Sequence, residues 1–176
     1  MHSPNHSSFY PQASLTLSLP DEPATNALGS LIAPVLAPGM VVWLDGDLGA
    51  GKTTLVRALL RSLGYTGPVK SPTYALVEVY VISSIYWYHF DFYRFNDPEE
   101  FADAGMAEYF RDDAVCLVEW PEKAAGHVPP PDLALVFSFS ADQRCSGRVL
   151  ELSAYSERGK ACLKTLANRH IQGDAA

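Results

Sequence analysis

The chemistry open to this chain is set by Gly46-Asp47-Leu48-Gly49-Ala50-Gly51-Lys52-Thr53, followed by Thr54. Its spacing is G-x-x-x-x-G-K-[ST], a pattern that carries meaning only between a strand and a helix. The apolar run Met40-Val41-Val42-Trp43-Leu44 precedes it, and Leu55-Val56-Arg57-Ala58-Leu59-Leu60 follows, so that context is present. Glycines let backbone N–H groups converge on an anion, and the helix N-terminus adds its positive end. Lys52 is placed to neutralise the β- and γ-phosphates of a nucleotide, and the Thr53 hydroxyl to hold Mg²⁺.

A nucleotide hydrolase also needs carboxylates near the loop, to hold Mg²⁺ and to orient water. Glu119 follows the buried run Ala114-Val115-Cys116-Leu117-Val118, the layout of the acidic residue on the second strand of phosphate-loop enzymes. Acids at strand ends point into the crevice where ligands sit in an open α/β sheet. Asp91 lies in Tyr88-His89-Phe90-Asp91-Phe92-Tyr93-Arg94. On a strand, His89, Asp91 and Tyr93 share one face while Tyr88, Phe90 and Phe92 share the other. The first face is then either functional or merely solvated, and His89 taken alone reads as a hydrogen-bonded structural histidine. Pro72 stiffens a turn that fixes the Ser71 and Thr73 hydroxyls close together, as a segment sensing a γ-phosphate would need. A bare Ser-Pro-Thr is also an ordinary turn, and Trp120 is as well suited to packing as to stacking on a nucleotide.

The elements that must position these residues follow from periodicity and capping. Leu15, Leu17 and Leu19 alternate with Thr16 and Ser18 as a half-buried strand. Asp21 caps a helix with Pro23 in its first turn, Pro34 shortens or kinks that helix, and Pro38-Gly39 stops it. The loop strand and its helix come next, ending at Gly64. Two β-rich runs, 74–82 and 85–93, separated by Ser83-Ser84, predict a hairpin and hence a mixed rather than wholly parallel sheet. Asp97 and Pro98 open a helix, a short one covers Met106 to Phe110, and Ala114 to Val118 is a strand ending on Glu119. Strands at Leu133–Ser140 and Val149–Ala154 and a helix from Ser156 to Asn168 complete the chain. The expected organisation is one α/β domain of P-loop NTPase type at 14–168, with helices on both faces of a mixed central sheet. Tails occupy 1–13 and 169–176.

Composition narrows the partners. The 176 residues can bury roughly 70% of their unfolded surface, and 48% hydrophobic with 19% charged residues is a globular balance. No apolar run approaches the ~18 residues of a membrane span. Residues 1–12 have no basic n-region or apolar h-region, so they read as a loose tail and not a secretory signal. Three cysteines without C-x-x-C spacing suggest reduced thiols in a cytoplasmic protein and argue against zinc. With a net charge of −7 and no Lys/Arg cluster of four, direct grip on nucleic-acid phosphates is disfavoured.

Four motifs taken together resemble the TsaE family, the small P-loop ATPases of bacterial tRNA threonylcarbamoylation. They are Gly-Asp-Leu-Gly-Ala-Gly-Lys-Thr-Thr at 46–54, Val-Lys-Ser-Pro-Thr-Tyr at 69–74, His-Phe-Asp-Phe-Tyr-Arg at 89–94 and Leu-Val-Glu-Trp-Pro at 117–121. Their order and spacing cover most of 15–155; the chain departs from the family in its long N-terminal tail, in Pro34 and in a C-terminal part that aligns only loosely. The resemblance implies ATP as ligand, with Lys52 and Thr53 on phosphate and Mg²⁺, Glu119 as a Mg²⁺ ligand and Asp91 needed for hydrolysis. It makes Ser71-Pro72-Thr73 the switch segment, sets Trp120 near the nucleotide, and draws Glu22 and a late arginine, Arg144 or else Arg148, into the pocket. It further implies a TsaB–TsaD partner pair that handles tRNA, so that contact with tRNA is indirect.

Two other readings remain open. A small-molecule kinase would need an acceptor pocket and an arginine-bearing lid, for which Arg144, Arg148 and Arg158 are dispersed. A nucleotide-gated binding subunit would not require hydrolysis at all. A GTPase is disfavoured because no N-K-x-D element occurs, so adenine is the expected base. Replacing Glu119 with Ala is expected to stop repeated modification and spare the fold, on the premise that it deletes an exposed crevice carboxylate.

Overall fold

The computed structural model describes residues 10–141 and 147–173. In chain order the strands are β1 (Ala13–Leu19), β2 (Val41–Asp45), β3 (Val77–Ile82), β4 (Ile85–Asp91), β5 (Ala114–Glu119), β6 (Leu133–Phe139) and β7 (Arg148–Ala154). The helices are α1 (Glu22–Ile32), α2 (Lys52–Ser62), α3 (Glu100–Asp103) and α4 (Glu157–Gly173), with 3-10 turns at Ala33–Val35, Met106–Tyr109 and Pro121–Ala124.

All seven strands form one sheet in the order β1-β7-β6-β2-β5-β4-β3. β6, β2, β5 and β4 run parallel at its centre. The hairpin strand β3 is antiparallel at one edge, and β7 and β1 are antiparallel at the other. Every residue of β5 is buried, as a central parallel strand covered on both faces requires. Side-chain alternation divides the core in two. Val42, Leu44, Val115 and Leu117 face Leu28 and Ile32 of α1, Leu55 and Leu59 of α2 and Leu163 and Leu166 of α4. Val41, Cys116 and Val118 face an aromatic layer built on Tyr88, Phe90, Phe92, Phe95 and Phe101. The rings of Phe90 and Phe110 stack at 4.9 Å, and those of Phe92 and Phe95 at 4.8 Å. The chain is thus a mixed α/β domain with helical segments on both faces, the longer ones on the side of the phosphate-type loop. Cys116 and Cys162 are buried free thiols, while Cys145 lies outside the described residues. Among the described residues no helix is long and apolar enough to cross a membrane.

Local signals are mostly where the sequence puts them. Asp21 Oδ1 accepts from Ala24 N at 2.9 Å to cap α1. That helix ends at Ile32, and Pro34 sits in the 3-10 turn that follows. Ser83 and Ser84 both take positive φ, the backbone of a tight hairpin turn. Three expectations shift. β3 starts at Val77 rather than 74, because Leu76 N donates to Pro72 O at 2.7 Å and 73–76 form a turn with Leu76 in the left-handed region. Asp97 caps only the turn at Glu99 N, and α3 is a single turn broken before Gly105, whose φ is +68°. α4 continues past 168 to Gly173, its start closed by Ser156 Oγ accepting from Gly159 N.

Candidate functional site

Register brings the acids together. In the parallel pairing of β4 with β5, Asp91 is opposite Glu119, and in that of β2 with β5, Leu44 is opposite Glu119. Both carboxylates therefore stand at the carboxyl ends of central strands, beside the loop that leaves β2. That loop is built to let backbone approach: Gly46 has φ +137°, and a Cβ there would meet the Phe137 carbonyl oxygen at 2.6 Å. Only glycine fits. Gly51, in the left-handed region, delivers the chain into α2, which begins at Lys52.

A cleft of about 330 Å³ lies over the loop, lined by 48–54 together with Ser71, Thr73, Asp91, Tyr93, Glu119 and Trp120. Lys52 is only 5% exposed. Its Nζ donates to Gly46 O and, at 3.1 Å, to Asp47 O, and it sits 4.1 Å above the Trp120 ring. Burial pulls its ammonium below the ordinary lysine range, and Glu119, Asp45, Asp91 and Glu122 work in the opposite direction. The Thr53 hydroxyl donates to Glu119 Oε1 at 2.8 Å. The same oxygen is 2.8 Å from His89 Nε2. Asp91 Oδ2 accepts from Ser71 at 2.5 Å and Thr73 at 3.1 Å, while Tyr93 N donates to its Oδ1 at 2.9 Å. The Ser71-Pro72-Thr73 turn is therefore hydrogen-bonded to Asp91 through both of its hydroxyls. Trp120 holds φ +58°, strained for so bulky a residue, and its ring packs 5.0 Å from that of Tyr93.

A second cleft of about 250 Å³ opens on the other side of the loop, between Leu19, Asp21, Glu22, Thr25, Gly49–Gly51, Thr54 and Arg148. Glu22 is thus beside the loop, on the first turn of α1. Arg148 reaches it too, donating through Nη2 to Gly49 O at 3.2 Å and lying 4.2 Å over Phe139. Arg144 lies outside the described residues.

Two expectations need correction. Glu119 is no exposed crevice carboxylate; it is 3% exposed and bonded from both sides. Tyr93 does not share a strand face with His89 and Asp91, because β4 ends at Asp91 and Tyr93 turns to join Trp120 in the cleft wall. A solvated hairpin face is likewise excluded, since His89 is 0% and Asp91 3% exposed. What sequence reasoning missed was the His89–Glu119 contact. Its signal was an ionisable residue two positions before Asp91, but joining it to Glu119 requires knowing that β4 and β5 are neighbours.

The donor set suits one kind of cation. A hydroxyl and a carboxylate, 2.8 Å apart, are hard oxygen ligands, and among the described residues no cluster of three or more His, Cys, Asp or Glu could cage a metal unaided. Mg²⁺ is held in this way, by one or two protein oxygens plus substrate phosphates and water.

Comparison with known proteins gives one answer. The family model of the threonylcarbamoyl adenosine biosynthesis protein TsaE matches residues 19–148. The tRNA threonylcarbamoyladenosine biosynthesis protein TsaE of Haemophilus influenzae is 42% identical over 160 residues, covering 88% of this chain and 99% of that one. The Bacillus subtilis protein of the same name is 40% identical over 118 residues, 67% of this chain and 73% of its own length. Among solved structures, the crystal structure of Bacillus subtilis YdiB superposes with a TM-score of 0.76 at 29% identity, covering 90% of this chain and 97% of that one.

Proposed function

The chain belongs to the TsaE family of tRNA threonylcarbamoyladenosine biosynthesis proteins, and from that footing we propose that it is the family's ATP-binding and ATP-hydrolysing subunit, working in the cytoplasm with a TsaB–TsaD partner pair. The observation that carries the reading is the convergence of Lys52, Thr53, Glu119 and Asp91 on one cleft over a glycine loop.

In this reading the triphosphate lies against the amides of 46–54. Lys52 exchanges its bonds to Gly46 O and Asp47 O for the β- and γ-phosphates, leaving the face of Trp120 as it does so. The Thr53 hydroxyl and the Glu119 carboxylate hold Mg²⁺, which when bound neutralises charge on the phosphate oxygens. Asp91, already bonded to Ser71 and Thr73, couples the occupancy of the γ-phosphate position to the 71–73 segment and serves hydrolysis. The nucleoside end extends into the second cleft, where Glu22, Thr54 and Arg148 are within reach. A chain with a net charge of −7 leaves tRNA to its partners.

The test is reconstitution. Purified chain, a TsaB–TsaD pair, tRNA and a supply of threonylcarbamoyl adenylate should give many modified tRNAs per complex when ATP is present, and about one when the chain or ATP is withheld. Equal multiple turnover without the chain, or with Lys52→Ala in its place, would refute the proposal. Phosphate transfer to a metabolite by the isolated chain would instead make it a kinase.

A further inference from the structure

His89 is a fully buried imidazole that has no place in the reading above. It is 0% exposed on β4, on the same face as Asp91, and its ring reaches across to the end of β5. Its Nε2 is 2.8 Å from Glu119 Oε1. A carboxylate oxygen accepts, so the hydrogen in that contact belongs to Nε2 and the histidine donates. The other ring nitrogen, Nδ1, is buried with no hydrogen-bond partner among the described residues. A buried polar atom without a partner is uncommon, and an apolar side chain in this space would avoid it. The contact with Glu119 is therefore the ring's one hydrogen bond among the described residues.

Glu119 Oε1 accepts two hydrogen bonds, and they are not equivalent. The Thr53 hydroxyl is one of the oxygens placed to hold the cation, so its position answers to the cation as well as to Glu119. His89 approaches from inside the sheet, has no access to the cleft contents and lines neither cleft. Resting on the Mg-nucleotide reading of the cleft, we propose that His89 is a positioning residue. It keeps Oε1 fixed as the Thr53 oxygen takes up the cation, so that the second carboxylate oxygen stays aimed at the cation. Carboxylate ligands are commonly held by such an outer partner, and losing the partner weakens the metal about 10–100-fold.

The test separates metal from nucleotide. ATP affinity is measured by calorimetry in EDTA and across a Mg²⁺ titration, for wild type, His89→Leu and His89→Gln; glutamine carries an N–H donor at about the position of Nε2. In EDTA all three should bind ATP within about twofold of one another. The Mg²⁺ concentration giving half of the full enhancement should rise about 10–100-fold in the leucine variant and return most of the way in the glutamine variant. Unchanged Mg²⁺ dependence in His89→Leu would overturn the proposal. So would a parallel loss of ATP affinity in EDTA, which marks a structural role. Should the leucine variant fail to fold, His89→Asn, whose amide is too short to span to Glu119, is read in the same way. A wild type whose ATP affinity ignores Mg²⁺ would overturn the nucleotide reading itself, and the assignment of His89 with it.

Discussion

Replacing Glu119 by alanine and by glutamine separates a buried network from an exposed acid. Alanine strips the His89 Nε2–H of its acceptor, and a buried donor left unpaired costs about 1–3 kcal/mol. It also removes the acceptor of the half-buried Thr53 hydroxyl, worth about 1 kcal/mol and partly recovered because water enters from the cleft. Glutamine keeps an oxygen in place for both donors. Both variants lose the support that Glu119 gives the Lys52 ammonium, so the difference between them isolates the network. That difference is about 1–4 kcal/mol, equivalent to about 2–16 °C in a protein of this size. Thermal melts followed by near-ultraviolet circular dichroism, in EDTA without nucleotide, should show alanine melting lower by that margin while neither variant supports repeated tRNA modification. Alanine and glutamine variants melting within about 2 °C of each other would refute the argument.

Three further outcomes are expected. Gly29→Ala puts a Cβ 2.6 Å from that of Ala58, forcing α1 and α2 apart at a cost of about 1–3 kcal/mol; urea unfolding should show the loss, and an undiminished midpoint would mean the helices are not in contact there. Asp21→Ala removes the N-cap of α1 and should lower stability by about 0.5–2 kcal/mol in the same assay, with Asp21→Asn retaining most of it. Burial pushes the Cys116 thiol and the Tyr80 phenol each up to about 12. Both groups stay neutral longer in the folded chain than in the unfolded one, so their stabilisation is complete below about pH 8.5 and 10 respectively and is lost as pH rises toward 12. Melting temperature should accordingly fall through that window, and Cys116 should resist alkylation at pH 8 until the chain is unfolded; rapid alkylation of native protein would contradict its burial.

Local signals made the loop legible from sequence. Glycines at 46, 49 and 51, the capping pair Asp21 and Pro23, and the serine pair at 83–84 each act within a few residues, so pattern and structure agree. The continuous apolar run before Glu119 likewise announced a central strand. What escaped was non-local. The burial of Glu119 depends on His89 and Thr53 arriving from β4 and α2, and strand order across a sheet is not written in any single segment. The single turn of α3 and the longer reach of α4 are likewise not told by their capping residues alone. Of the two late arginines, Arg144 is the first choice from sequence and Arg148 the second; the structure sets Arg148 against Gly49, and Arg144 lies outside the described residues.

The account stands on adenine-nucleotide binding at the 46–54 loop. Calorimetric titration of the isolated chain with ATP in Mg²⁺ measures it most directly. One site per chain is expected, weakened when Mg²⁺ is chelated, weaker for GTP and abolished by Lys52→Ala with the fold intact. No heat of binding from the folded wild-type chain, or undiminished binding by Lys52→Ala, would contradict it.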